Sequence, residues 1–356
     1  MNSLGANKES MTQIKPIDIS VLIPVFNGIK YIQRGLDAIC NQSLKSIEII
    51  VVDDGSTDGS SAFLDEYAQK DSRITIIHQQ NAGAGRARNV AMDHAHGEFF
   101  YFFDIDDTVE PTMLEVACST IRKYQAKLAV FGFRVTDGMA TEDVVVPEKQ
   151  LLSQAAIAKH YVSDILSVRH GSGFLWNKLY RGDVIRRHHI QFNHFKVQED
   201  ELFNIAYMKC IDSVVLMPHV FYTYYISNSG NSRSRFLPNM HEIIITVHQA
   251  FVELRHTLQI DDPRFHEFLC HRTFSALMLW VMFHLYHPDC PWTDKERKAV
   301  LRAVTDSPVW KVVNHPVGLE SSLYAAAMTA GNVRLLELYV QCFRYLRILK
   351  KTILHA

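Results

Sequence analysis

The sequence has few cysteines, and none of them form a CxxC pair. The 356 residues include six cysteines: Cys40, Cys118, Cys210, Cys270, Cys290 and Cys342. In a chain of this size such scattered cysteines are typical of reduced thiols, so we expect neither a disulfide framework nor a cysteine-based zinc site. The 18 histidines show no HExxH or comparable ligand spacing, and we interpret them as structural.

The chain also lacks an excess of charge of either sign. It has 37 basic and 38 acidic residues, for a formal net charge of −1, so no overall attraction to nucleic acid is expected. The longest apolar stretch, FSALMLWVMFHLY at 274–286, is shorter than the roughly 20 residues that span a bilayer. The polar opening MNSLGANKESMTQ has no apolar segment of the kind found in secretory signals, which favours a cytoplasmic location.

What the sequence does contain is an alternation of apolar strands and amphipathic helices. Strands are predicted at 19–26, 47–54, 73–79, 98–104 and 127–135, with helices between them. This order is typical of an α/β fold with a mostly parallel central sheet flanked by helices. We expect a disordered lead at 1–16, an α/β domain at 17–236 and a C-terminal helical region at 237–356.

Carboxylates follow two of the predicted strands directly. Asp53 and Asp54 end the second strand, and Asp104, Asp106 and Asp107 follow the aromatic strand FFYFF. In parallel sheets, ligands bind at the carboxyl ends of the strands. Three close carboxylates repel one another unless a cation lies among them, and Mg²⁺ or Mn²⁺ prefers such oxygens and bridges to phosphates. The cluster therefore predicts a metal–diphosphate site, with a solvated helix-capping turn as the alternative.

The acidic stretches allow other interpretations as well. The segment D-I-D-D-T also fits a haloacid-dehalogenase-like phosphohydrolase, in which Asp104 is the nucleophile, but no GDxxxD-like segment follows and three strands precede it. Glu199, Asp200 and Glu201 precede an apolar helical pattern. They supply either a general base or favourable charge at a helix N-terminus, and the local sequence does not decide between the two.

Several stretches together resemble the family 2 inverting glycosyltransferases of the GT-A fold, of the non-processive bacterial surface-polysaccharide type. These stretches are ISVLIPVFNG, LDAICNQ, IEIIVVDDGSTDGS, NAGAGRARNVAMDHAHGEFFYFFDIDD, WNKLY and EDELFN, in that order. The resemblance covers about residues 18–230, and the QxxRW segment of processive synthases is absent. It implies a nucleotide-sugar donor, usually a UDP-sugar, with Mn²⁺ or Mg²⁺. It also implies transfer of one hexose to a glycan or lipid-linked acceptor of a lipopolysaccharide or capsule.

The resemblance also implies roles for individual residues. For the nucleotide sugar these are Pro24, Phe26, Asn27, Asp53, Asp54, Gly83, Arg88, Asn89 and Asp104, with Asp54 reading the uracil N3–H. For the metal they are Asp104, Asp106 and Asp107; for base catalysis Asp200, with Glu199 beside it; and for the acceptor Trp176, Asn177 and Lys178. Phe26 replaces the more usual tyrosine, and Ile105 replaces a small polar residue. A catalytically inactive sugar-nucleotide-binding protein is a further alternative.

The C-terminal stretch combines an apolar stripe with basic residues. In VRLLELYVQCFRYLRILKKTILHA, at 333–356, leucines, valines and aromatics alternate with arginines and lysines at helical spacing. Such a helix binds the inner face of an anionic membrane as a peripheral element, or packs on its own domain with its basic side chains reaching into water. Both interpretations remain open.

Overall fold

The computed structural model describes residues 16–166, 173–226, 236–314 and 319–342. The strands are β1 Ile19–Val25, β2 Ile47–Asp53, β3 Ile74–His78, β4 Phe99–Phe102, β5 Thr108–Val109, β6 Leu128–Thr136, β7 Thr141–Val144, β8 Lys149–Leu151, β9 Lys178–Arg181 and β10 Val214–Tyr225. The helices are α1 Ile29–Cys40, α2 Ser60–Ala68, α3 Ala84–Asp93, α4 Met113–Lys123, α5 Gln154–His160, α6 Gly182–Arg187, α7 Glu199–Met208, α8 Met240–Leu258, α9 Pro263–Trp280, α10 Asp294–Thr305, α11 Pro308–Val313 and α12 Leu319–Thr329. The predicted lead at 1–16, apart from Pro16, and residues 343–356 of the predicted tail lie outside the described residues.

One sheet organises the α/β part of the chain. Its order is β3-β2-β1-β4-β9-β6-β10-β5, with β7 paired to β6 and β8 paired to β10. The strands β3, β2, β1 and β4 are parallel, and the five predicted strands are confirmed to within two residues. The second half differs from a simple parallel sheet, because β9 lies antiparallel between β4 and β6. This four-residue strand has no flanking pattern that the sequence analysis could detect.

The aromatic stretch before the acidic cluster is buried on both faces of the sheet. Phe100 and Phe102 pack into one hydrophobic core, while Phe99, Tyr101 and Phe103 pack into the core on the other face. Successive side chains of a strand point to opposite faces, so a strand covered by helices on both sides is apolar at every position. The helices α1, α2 and α4 cover one face, and α3, α6 and α7 cover the other.

The described chain is helical from α8 onward, as predicted, but α8 is not separate from the sheet. Its residues Ile243, Val247 and Phe251 belong to the same core as Phe100 and Phe102, as does the start of α9, whereas the rest of α9 and the later helices build a second core. The predicted division at residue 237 therefore stays a prediction. The six cysteines, all of which the structure describes, are free, as expected.

One helical segment is long and apolar enough to cross a bilayer by length and composition. Among the described residues this segment is Pro263–Leu285, which runs through α9 into a π-helical turn and is longer than the apolar run identified in the sequence. Its most apolar window of 18 residues has a mean hydropathy of 1.3. Over half of its most apolar window, 56%, is buried inside the protein. A helix at the centre of a helical core passes the same test, so the segment is weak evidence for a membrane span.

Candidate active site

A cavity of about 230 Å³ opens at the carboxyl ends of β1, β2 and β4. The helix α1 connects β1 to β2 on one side, whereas the chain reaches β4, on the other side of β1, from β3 through α3. Such switch points form ligand-binding crevices in open α/β sheets. The cavity is lined by Pro24, Val25, Phe26, Asn27, Gly28, Tyr31, Asp54, Ala84, Arg88, Asp104, Ile105 and Asp106. Seven residues predicted from the sequence to bind nucleotide or metal are among them.

Asp54 organises one wall of the cavity. Its buried carboxylate accepts hydrogen bonds from the backbone N–H groups of Ala82 and Gly83, both at 2.8 Å, and from Gln79 Nε2 at 2.6 Å. Gly83 has a φ of 94°, a conformation that favours glycine, and it precedes α3. A carboxylate has about four acceptor directions, so one direction remains for a ligand.

Arg88 is the buried positive charge of the site. Its guanidinium lies 2.8 Å from Asp200, 3.0 Å from Asp104 and 3.6 Å from Glu199. Burial alone would lower its pKa, but the three carboxylates raise the pKa above its ordinary value, so Arg88 is charged. One side chain on α3 thereby connects the acidic cluster after β4 with the acidic start of α7.

Asp200 and Glu199 stand at the N-terminus of α7. Burial raises the pKa of Asp200 to about 7, and Glu199 and Asp104 add to this rise while Arg88 opposes it. Burial also raises the pKa of Glu199. The side chain of Asp200 is 32% exposed, so it still reaches solvent. A partly exposed carboxylate that titrates near neutral pH has the properties of a general base.

Asp104 and Asp106 bring two carboxylates to the cavity wall. Burial raises the pKa of Asp106, and the negative charge of Asp104 raises it further. Arg34 donates to the backbone carbonyl of Asp106 and stacks on the ring of Tyr225, with 4.1 Å between the guanidinium carbon and the ring centroid. No group of three or more His, Cys, Asp or Glu residues with metal-binding geometry occurs in the part of the chain that the structure describes.

Asp107 differs from its predicted role as a metal ligand. It is fully buried, and its carboxylate accepts hydrogen bonds from Tyr222 Oη at 2.5 Å and from the backbone N–H of Tyr225 at 2.9 Å. Burial raises its pKa well above the ordinary value. Asp107 is thus turned away from the cavity and fixes the turn against β10, so the acidic cluster has two cavity-facing members rather than three.

Two residues predicted to bind the nucleotide also have internal partners. Asp53 accepts hydrogen bonds from Ser61 Oγ at 2.5 Å, the Ser56 backbone N–H at 3.0 Å and the ring of His78 at 2.9 Å. Asn89 exchanges two hydrogen bonds with the backbone of Phe192, at 2.8 and 2.9 Å. Neither side chain lines the cavity. Both hold loops that border it.

The three residues predicted to contact the acceptor are buried. Trp176 stacks on Tyr222 with 4.2 Å between the ring centroids, and its exposure is 3%. Asn177 donates to the carbonyl of Phe131 and accepts from Lys178 Nζ at 2.9 Å. These contacts give all three side chains internal partners, and their predicted place near the acceptor stays a prediction.

Sequence reasoning missed some residues of the site. Tyr31 lines the cavity from the first turn of α1, and Gln79 fixes Asp54. Gln79 follows the third strand directly, so its position at the ligand edge was a usable signal. Arg34 occupies an exposed helical position, and no local pattern distinguishes it from an ordinary surface arginine.

The sequence of the α/β part matches a known family. Residues 20–180 match Glycosyl transferase family 2. The chain is 34% identical over 190 residues to "Putative glycosyltransferase EpsH" of Bacillus subtilis (strain 168), and the aligned region covers 52% of this chain and 54% of that protein. It is 29% identical over 231 residues to "Glycosyltransferase GlyA" of Streptococcus pneumoniae, covering 64% of this chain and 33% of that protein. The chain thus spans about half or less of the length of these relatives.

Solved structures with a similar fold cover nearly the whole chain. The crystal structure of S. aureus TarS 1–349 in complex with UDP-GlcNAc matches with a TM-score of 0.65 at 20% identity, covering 92% of each chain. The complex of the same protein with UDP matches with a TM-score of 0.64 at 21% identity. At this identity the likeness concerns the fold, and it confirms the predicted α/β architecture with its C-terminal helices.

Proposed function

This chain carries a family 2 glycosyltransferase domain on a GT-A fold, and from that premise we propose that it transfers one sugar from a UDP-sugar to a glycan or lipid-linked acceptor, with inversion at the anomeric carbon. The observation that carries the proposal is the convergence of Asp54, Asp104 and Asp106 on one cavity, with Asp200 joined to the same cavity through Arg88. A donor nucleotide bound by the first three would lie near the carboxylate of the fourth.

Asp200 acts as the general base in this proposal. In a single displacement the acceptor hydroxyl attacks the anomeric carbon, the bond to the nucleoside diphosphate breaks, and the hydroxyl proton passes to the base. A pKa of about 7 leaves a substantial fraction of Asp200 ionised at neutral pH. Arg88 holds the carboxylate at 2.8 Å and so restricts its orientation. Glu199 lies beside this pair and contributes negative charge rather than a second base.

Asp104 and Asp106 would hold a divalent cation. Both carboxylates face the cavity, and Mg²⁺ or Mn²⁺ is often bound by one or two carboxylates together with substrate phosphates. Such a cation neutralises charge on the leaving diphosphate. Burial is the main cause of the raised pKa of Asp106, and the negative charge of Asp104 adds to it; a cation between the two carboxylates would offset that repulsion. In the ligand-free protein, part of this charge is balanced by Arg88.

The phosphohydrolase alternative receives little support from the site. Asp104 pairs with Arg88 through Oδ1 alone, so a phosphohydrolase is distinguished here by its fold and not by this contact. The GT-A fold also differs from the expectation for that class, because three parallel strands precede the acidic cluster. The non-catalytic alternative predicts nucleotide-sugar binding without turnover, and the experiment below separates it from transfer.

A panel of UDP-, GDP- and dTDP-sugars tests the proposal. Each sugar nucleotide is added with Mn²⁺, and thermal unfolding and release of free nucleotide are both measured. A ligand at 100 times its Kd stabilises the folded state by about 2.7 kcal/mol, so the preferred donor raises the Tm clearly. We expect UDP-GlcNAc or another UDP-sugar to raise the Tm and release UDP, and EDTA to abolish both effects. A Tm that no sugar nucleotide changes contradicts the proposal.

Location and membrane contact are part of the same proposal. A lipid-linked acceptor would lie at the inner face of the cytoplasmic membrane, which suits a peripheral enzyme. The helical segment at 333–342 exposes Leu335 and Leu338, with exposures of 47% and 56%, and the basic part of the predicted tail follows it outside the described residues. Truncation at about residue 332 should reduce sedimentation with anionic liposomes. Unchanged sedimentation contradicts the membrane contact.

A further inference from the structure

A buried lysine lies at the ligand edge of the sheet. Lys178 begins β9, the antiparallel strand between β4 and β6, and its exposure is 3%. Its ammonium donates to Asn177 Oδ1 at 2.9 Å and to the backbone carbonyl of Phe174. A buried ammonium is costly even when it is hydrogen-bonded, and an apolar side chain of similar length would fill the space without that cost. The charge therefore calls for a role beyond packing.

The Phe174 carbonyl that accepts a hydrogen bond from Lys178 also accepts one from the helix that carries Asp200. Asn204 on α7 donates from Nδ2 to the same Phe174 carbonyl at 3.1 Å and to the Gly173 carbonyl at 3.3 Å. Its Oδ1 accepts from Tyr180 Oη on β9 at 2.6 Å. These hydrogen bonds join β9 and the segment before it to the middle of α7. We refer to Phe174, Asn177, Lys178, Tyr180 and Asn204 as the β9–α7 network.

The network reaches Asp200 through the geometry of the helix. Asn204 follows Asp200 by four residues, which places both on the same face of α7, one turn apart. The position of Asn204 therefore bears on where the first turn of α7 places Asp200 beside Arg88, which lines the cavity. Lys178 and Asn204 form the central pair of the network, and both are at least 95% buried. Because water does not reach these positions, a substitution that removes one partner leaves the other without a hydrogen bond, which is costly.

Lys178 and Asp200 also influence each other's pKa. Burial lowers the pKa of Lys178 to about 7, and the charges of Asp200 and Glu201 oppose this decrease. Conversely, the charge of Lys178 opposes the rise that burial causes in the pKa of Asp200, although Arg88 acts more strongly. Lys178 thus lies within the electrostatic environment of Asp200 while its hydrogen bonds go to the supporting backbone.

We propose that Lys178 and Asn204 are positioning residues, which fix the first turn of α7 so that Asp200 meets the acceptor hydroxyl, and that Lys178 makes no contact with the acceptor. The inference rests on the proposed function, because it assigns Asp200 as the base. Positioning matters because a displacement of about 1 Å at a reacting group costs about 100-fold in rate. Donor binding depends on Asp54, Asp104 and Asp106, which lie on other elements.

The test compares Lys178→Met and Asn204→Leu with Lys209→Met. The first two keep an unbranched or a branched side chain of similar length and remove the hydrogen-bonding groups of Lys178 and Asn204. Lys209 caps the far end of α7 and pairs with Glu253 at 2.9 Å, so its variant removes a lysine of the same helix outside the network. For each protein we measure Tm, the Kd of UDP with Mn²⁺ by calorimetry, and kcat and KM for UDP release from the preferred sugar nucleotide with its acceptor.

We expect kcat to fall by about 100-fold in Lys178→Met and Asn204→Leu, with the Kd of UDP and both KM values within about twofold of wild type. The Lys209→Met protein should resemble wild type. An unchanged kcat contradicts the inference, and so does a higher acceptor KM at constant kcat, which indicates an acceptor contact. If Lys178→Met does not fold, the kcat, KM and Kd values of Asn204→Leu alone test the inference. Absence of turnover in the wild type contradicts the proposed function itself.

Discussion

Arg88 carries one positive charge against three carboxylates in a position with 5% exposure. Such an arrangement is stable only while the guanidinium is present, because the carboxylates would otherwise face one another without compensation. Its Nε atom is also buried without a hydrogen-bond partner among the described residues. Arg88 therefore neutralises carboxylates of the site while one of its own buried donors stays without a hydrogen bond. Such an arrangement is consistent with a functional position.

Replacement of Arg88 by methionine should destabilise the protein and weaken nucleotide binding together. Breaking one side of a buried ion pair costs about 3–5 kcal/mol, and we expect about 3 kcal/mol here because Asp104 and Asp200 are partly exposed. Urea unfolding measures the loss. Arg86→Met is the matched control, since Arg86 is an exposed residue on the same helix. Equal stability of the two variants would contradict this account.

The pKa of Asp200 predicts the pH dependence of turnover. Because burial raises this pKa to about 7, the base is protonated and inactive below that pH and ionised above it. We expect kcat/KM to fall about tenfold per pH unit below roughly pH 6.5 and to level off above roughly pH 7.5. A profile of kcat/KM measured between pH 5 and pH 9 tests this expectation. A rate that stays constant down to pH 5 excludes Asp200 as the titrating base.

The position of the carboxylates at the ends of parallel strands predicted which of them lie near the cavity. It did not predict the hydrogen-bond partners of each polar side chain. Asp54, Asp104 and Asp106 line the cavity as expected. Asp107 and Asn89 face the interior instead, because their partners come from segments more than 100 residues away. Hydrogen bonds between such distant residues depend on the tertiary fold, and no local sequence pattern records them.

A close contact between α1 and the acidic turn fixes the turn's position. Gly35 of α1 packs against the backbone of Ile105, which stands between Asp104 and Asp106. A methyl group at Gly35 would overlap the Ile105 carbonyl oxygen. The glycine therefore lets the helix approach the turn, and Arg34 beside it donates to the neighbouring carbonyl of Asp106.

Gly35→Ala should displace the turn and weaken donor binding. Overpacking of a buried contact costs about 1–3 kcal/mol, and part of this cost falls on the conformation that binds the cation and diphosphate. We expect a lower Tm and about tenfold weaker binding of UDP with Mn²⁺, measured by calorimetry. Gln33→Ala, at an exposed position of α1, is the control. Wild-type affinity in Gly35→Ala would show that the turn is not held by this contact.

The elements differ in how well their sequences predicted them. The strands β1, β2 and β4 are almost continuously buried and rich in β-branched or aromatic residues, whereas β3 is apolar but mostly half-buried or exposed. All four apolar runs were recognised. The strand β9 was not recognised, because KLYR has only four residues and includes two basic ones. Its place in the sheet depends on pairing with β4 and β6, which are distant in sequence.

The first helix after residue 236 shares a core with the sheet. Ile243, Val247 and Phe251 of α8 pack with residues of the sheet and of α7. Arg272 of α9 forms an ion pair with Glu201 of α7, next to Asp200. The acidic start of α7 is therefore supported from the C-terminal side of the chain.

A chain that ends at residue 236 should consequently fail to fold. Removal of α8 would expose apolar side chains of the core that it shares with α7 and the sheet. We expect low solubility, strong binding of a hydrophobic dye and no cooperative thermal transition, in contrast to the full chain. A soluble 1–236 fragment with a cooperative transition and UDP binding would establish two separable domains.

Exchange of single carboxylates tests the central claim most directly. The account divides the site into a donor-binding part at Asp104 and a proton-accepting part at Asp200. For Asp200→Asn it predicts that kcat for UDP release falls by about 100-fold or more while the Kd of UDP with Mn²⁺ stays at the wild-type value. For Asp104→Asn it predicts that UDP binding itself is weakened. Turnover of Asp200→Asn within tenfold of wild type, or loss of UDP binding in that variant, would contradict the account.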